Sequence, residues 1–153
     1  METKMPRRHR KTLSVLKDLI RLNVDRITAY EKAAHENKSP DPEIRDVFYR
    51  MATESRSYVN DLHAEIIRLG GAPVTQSTIT GKLYLHWLNG KVNFDGESMD
   101  SLLAACIRGE EAVQQIYQYA LEEEEIPENI HQLVESQLWS LERAYQQLLQ
   151  ARS

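Results

Sequence analysis

Cysteine is nearly missing from this chain of 153 residues. The single Cys106 has no partner for an internal disulfide. It falls on an apolar helical stripe, where a buried, inert thiol is expected. The 6 glycines and 5 prolines lie almost entirely between the long periodic segments rather than inside them, so helix breakers are nearly absent where helices are expected. No apolar run approaches the ~18 residues of a membrane span, and the charged N-terminus lacks the apolar stretch of a signal peptide. A cytoplasmic protein with no membrane partner is therefore expected. Positive charge is not in excess either: 19 Lys and Arg stand against 23 Asp and Glu, a net charge of −4. That balance argues against nucleic acid, whose binding rests on phosphate neutralisation. Glycine-rich phosphate loops, nucleophile elbows and Cys-x-x-Cys pairs are also missing, so no catalytic residue is assigned.

With 41% hydrophobic and 27% charged residues, the composition is that of a folded globular chain, and its length fits one domain. Four segments carry helical periodicity. The first, about residues 11–36, would bury Leu13, Leu16, Ile20, Val24, Ile27 and Ala34. The second follows Asp41-Pro42, a good N-cap and first-turn pair, and stops at Gly70-Gly71. Its stripe includes Ile44, Phe48, Met51, Tyr58, Leu62 and Ile66. The third, about 98–124, carries Leu102, Leu103, Cys106, Ile107, Val113 and Tyr117. The fourth starts near Pro127 and buries Ile130, Val134, Leu138, Leu141 and Leu148. Residues 1–11, with Lys4, Arg7, Arg8, His9, Arg10 and Lys11, read as a flexible basic tail ahead of one domain at 12–151.

The connections predict the topology. Short links make segments 1 and 2, and segments 3 and 4, antiparallel hairpins. The 27 residues from Gly71 to Glu97 can cross the length of the bundle, with a short helix near residues 81–89 packing Leu83 and Trp87. The expected class is all-α: a ferritin-like four-helix bundle of two antiparallel hairpins joined by a long crossover.

Glu110 stands out because it points into the middle of its apolar stripe, and a buried carboxylate without partners costs several kcal/mol. Metal-binding ferritin-like bundles supply Glu from two helices and Glu-x-x-His from the other two. Here Glu54-x-x reaches Ser57 and Gln137-x-x reaches Ser140, so that set is incomplete. The one Glu-x-x-His string, Glu128 to His131, lies in the first turn of the fourth helix, and His63 and His86 stand alone. Two readings follow. In one, Glu110 belongs to a buried polar layer with Asn23, Gln137, Tyr58 and Tyr145 and no cofactor is bound. In the other, Glu110, Glu54 and Glu31 hold one divalent metal ion, of the kind that prefers oxygen donors. A rotation of the third helix that brings Glu110 to solvent is the remaining option. Glu122 to Glu125 form an acidic run at a helix C-terminus that could attract a cation or a basic partner.

Tyr30-Glu31-Lys32-Ala33-Ala34, Arg68-Leu69-Gly70-Gly71, Gly81 with Trp87, and Gly109-Glu110-Glu111-Ala112 together resemble a bacterial ferritin-like four-helix-bundle domain family of unknown function, over about residues 12–149. The resemblance implies a ferritin-like fold and no established activity. It also implies a histidine near the place that Tyr145 fills here, so the fourth helix lacks that imidazole. The expected function is that of a non-enzymatic bundle acting through its surface or by self-association as a dimer, linked to stress response by fold analogy alone.

Overall fold

The structure, a computed structural model, describes residues 6–36, 41–74 and 98–152. It contains four helices: α1 (Arg7–Glu36), α2 (Pro42–Arg68), α3 (Met99–Leu121) and α4 (Glu128–Arg152). Among the described residues there is no strand. The proposed short helix near 81–89 and the rest of the crossover after Val74 lie outside the described residues. No helix is long and apolar enough to cross a membrane.

The local signals act where the chain chemistry places them. The Asp41 carboxylate accepts the Glu43 N–H at 2.9 Å with Pro42 in the first turn, and Ser98 accepts the Ser101 N–H at 3.1 Å to start α3. At the end of α2, Gly70 takes φ +82°, a left-handed conformation that other residues avoid. Its N–H reaches Ile67 O at 3.0 Å and the Gly71 N–H reaches back to Ile66 O at 2.9 Å, the paired bonds of a Schellman stop. One boundary differs from the expectation. Helix α1 begins at Arg7 rather than near residue 11, so the basic residues 7–11 form its first turns instead of a flexible tail.

Side-chain contacts give the directions. On α1, Asn23 meets Ser55 of α2 and Arg26 meets Met51, while Tyr117 and Glu111 on α3 meet Gln137 and Tyr145 on α4, so both pairs are antiparallel hairpins. Helix α1 also packs antiparallel to α3, through Arg26–Glu110 and Lys11–Glu123, and α2 antiparallel to α4. Diagonal helices α2 and α3 therefore run the same way. One end of the bundle gathers the start of α1, the ends of α2 and α3 and the start of α4; there Leu13 lies against Gly71 and Asn129 reaches Glu65. The other end holds Met99 beside Ala33, Ala34 and Ile44.

One core runs through all four helices, from Leu13, Leu16 and Ile66 past Met51, Leu62 and Leu103 to Val134 and Leu148. A Cβ on Gly71 would sit 2.7 Å from Leu13 Cδ2 and 3.0 Å from Ile66 Cγ2, whereas one on Gly70 would meet nothing within 4 Å. Gly70→Ala should therefore cost about 1 kcal/mol through backbone strain alone. Gly71→Ala should cost about 1–3 kcal/mol through overpacking. Urea denaturation of the two variants checks both magnitudes.

Candidate functional site

The centre of the bundle holds a charge pair. Arg26, the largest fully buried side chain of the described residues, shows no exposed surface, and Glu110 opposite it is 1% exposed. The pair is bidentate: Arg26 Nε donates to Glu110 Oε2 at 3.0 Å and Nη2 to Oε1 at 2.7 Å. The other guanidinium arm, Nη1, donates to the Met51 carbonyl at 3.0 Å and to Ser55 Oγ at 2.8 Å on α2. The guanidinium carbon lies 5.2 Å from the centre of the Tyr30 ring, within reach of a cation–π attraction, and Tyr30 in turn packs on Phe48.

Burial by itself pulls the Arg26 pKa down, but the facing Glu110 carboxylate overrides it and holds the guanidinium above its ordinary value. Taking two ions out of water costs several kcal/mol each. Only good geometry and further hydrogen bonds recover that cost, and here the paired fork and the two bonds to α2 supply both.

From Arg26 a line of donors crosses the bundle. Ser55 Oγ donates to Asn23 Oδ1 at 2.9 Å. Asn23 Nδ2 donates to Tyr117 OH at 2.8 Å, and also to the Leu19 carbonyl. Tyr117 OH donates to Gln137 Oε1 at 2.7 Å, and Gln137 Nε2 to the Tyr58 carbonyl at 3.4 Å. Every helix contributes, and each side chain receives from one neighbour and gives to the next. In a low-dielectric interior such bonds polarise one another.

Asn23, Gln137 and Glu110 thus occupy the buried positions that their stripes predict. Tyr58 is buried too, but it joins the line through its backbone carbonyl; its hydroxyl points to Glu54 Oε2 at 3.5 Å. Tyr145 differs from the expectation. It sits at the α3–α4 rim and donates to Glu111 Oε2 at 2.8 Å, because its place on α4 faces the flank of α3 rather than the core. Helix α3 keeps Glu110 inward, so the rotation that would expose it does not occur.

The three proposed metal ligands do not converge on one another. Glu110 gives both oxygens to Arg26. Glu31 pairs across the α1–α2 surface with Arg56, and Glu54 is half-buried at the edge of α2 beside Tyr58. Among the described residues no group of three or more His, Cys, Asp or Glu side chains is placed to hold a metal ion. A divalent cation beside Glu110 would face the fixed positive charge of Arg26, so these donors do not suit one. Of the other polar candidates, Glu65 pairs with Arg68 and accepts from Asn129, and His63 Nε2 accepts the Val74 N–H at 3.3 Å. Cys106 is buried and in no disulfide; burial, with the Glu110 charge second, pushes its thiol pKa up, which disfavours the reactive thiolate.

Over residues 11–123 the chain matches a family described as a domain of unknown function, DUF2383. The chain belongs to this family. The matched stretch takes in Asn23, Arg26, Ser55, Glu110 and Tyr117, whereas Gln137 lies beyond it. No curated protein matches the chain.

Removing one member of the pair should be costly. Arg26→Met or Glu110→Leu alone leaves an uncompensated buried charge and should lose about 3–5 kcal/mol, while the double variant should recover most of it. A double-mutant cycle in urea measures the difference. Alkaline pH offers a second check. Tyr117, Tyr58 and Cys106 are held above their ordinary values of 10.0, 10.0 and 9.0, with burial the leading cause in each. These groups lose protons more readily in the unfolded chain. Stability should therefore be flat from neutral pH to about 9 and fall above it. Tyr117→Phe should make that fall shallower.

Proposed function

We propose that this protein is a non-enzymatic, ferritin-like helical bundle of the cytoplasm whose central charge pair is structural and whose activity is carried by its surface. The observation that carries the reading is the double commitment of Glu110 to Arg26. Glu110 is the carboxylate at the depth where ferritin-like bundles place metal ligands, and a resident guanidinium already supplies the cation it needs. The ferritin-like reading draws support from the helix directions: two antiparallel hairpins whose inner helices, α2 and α3, run parallel on the diagonal, as a bundle with one long crossover requires.

The alternative, one divalent ion held between α2 and α3 by Glu54 and Glu110, requires Glu110 to leave Arg26. Elemental analysis of protein purified without chelator separates the two. The expected result is below about 0.1 equivalent of any transition metal per chain, unchanged in Glu110→Gln. About one equivalent in the wild type, lost in Glu110→Gln, would overturn the proposal.

A further inference from the structure

The bundle end that gathers the start of α1, the ends of α2 and α3 and the start of α4 carries charge of both signs on separate flanks. Four of the five residues 7–11 are Lys or Arg, and Arg7, Arg8 and Arg10 are exposed in the first turn of α1. Across the same end, Glu122 and Glu124 follow α3, and Glu128 opens α4, all exposed. Lys11 and Glu123, where the two flanks meet, already pair within one chain at 3.2 Å.

The basic flank and the α3 part of the acidic flank oppose the dipoles of the helices that bear them, whereas Glu128 accords with the start of α4. The positive N-terminus of α1 has no acidic residue in its first turn, and the negative C-terminus of α3 has no basic residue in its last. Each arrangement costs its own helix stability; Lys11 and Glu123 meet within the chain, and Arg7, Arg8, Arg10, Glu122 and Glu124 stay exposed. Two of the large hydrophobic side chains exposed among the described residues, Ile67 at 61% and Tyr119 at 62%, also lie in the final turns of α2 and α3 at this end.

A two-fold axis brings one surface patch against itself, so the patch must be self-complementary. An end with a basic flank, an acidic flank and apolar residues satisfies that condition. We infer that this end is a self-association surface whose occupant is a second copy of the chain. The first turn of α1 in each copy faces the α3–α4 turn of the other, with Ile67 and Tyr119 covered between them. The basic and acidic flanks of one copy complement those of another, whereas nucleic acid or an acidic membrane would meet the acidic flank with like charge, which favours a second copy as occupant. The end of a four-helix bundle offers roughly 400–600 Å² a side, so the dimer is of the weak, salt-sensitive class. This inference rests on the reading that the protein acts through its surface.

Sedimentation velocity on the full chain tests it. At about 50 mM salt and up to about 300 µM protein the wild type should be largely dimeric, and at about 500 mM salt it should be monomeric. One variant reverses the acidic flank (Glu122→Lys with Glu124→Lys), and a second reverses the basic flank (Arg7→Glu with Arg10→Glu). Each alone should be monomeric at low salt, and an equimolar mixture should dimerise, because every contact across the axis is again between opposite charges. Both reversals bring charge into accord with the local helix dipole, so each variant should melt no lower than the wild type, and loss of the dimer is not loss of fold. A wild type that stays monomeric at low salt, or a dimer that neither salt nor reversal disturbs, would overturn the inference. Neither outcome alters the metal content, so failure here and failure of the metal-independent reading are distinguishable.

Discussion

The Arg26–Glu110 pair is the constraint on which the rest of the bundle depends. It joins α1 to α3 across the centre, and through Met51 and Ser55 the same guanidinium fastens α2. Apolar side chains alone would let these helices slide or rotate with little change in buried area, since hydrophobic attraction is non-directional. A bidentate pair is not tolerant in this way. One helical turn is about 5.4 Å of translation, and a shift of that size would leave both ions buried without partners. The register of three helices is thereby set at one place, and Tyr117 with Gln137 extends it to α4.

Much of the fold was legible in the sequence because its signals are local. Asp41-Pro42, Gly70-Gly71 and the four apolar stripes each report on a few neighbouring residues, and the short links predict the hairpins. The buried position of Glu110 was legible for the same reason. Its partner was not. Arg26 lies three residues beyond Asn23 and four before Tyr30, squarely on the buried arc of α1, yet an arginine there reads by default as a surface residue. The available signal was a complementarity of oddities: a carboxylate inside one stripe calls for a cation inside another. Ser55 and Tyr117 were missed as polar partners because small and aromatic residues pass as ordinary core. The start of α1 was placed a turn late, because its first residues are uniformly basic and show no apolar period.

Core and surface divide the charged residues by energetic role. In the centre, burial makes each charge indispensable to the other, and the arrangement has one solution. At the bundle end the charges are exposed and screened, individually worth little, and those at the start of α1 and the end of α3 stand against the local helix dipoles. The first set serves the bundle's own geometry, and the second, apart from the Lys11–Glu123 pair, is exposed to solvent.

The line of donors from Arg26 to the Tyr58 carbonyl has the outward form of a proton wire, running across the interior through side chains of all four helices. It cannot conduct. Hydroxyls such as Ser55 and Tyr117 can accept a proton and release another, but the amides of Asn23 and Gln137 donate from nitrogen and accept on oxygen, so a proton cannot hop through them without a costly tautomer. The two amides alternate with the two hydroxyls and insulate each from the next. The polar thread through this bundle therefore transmits position and not charge.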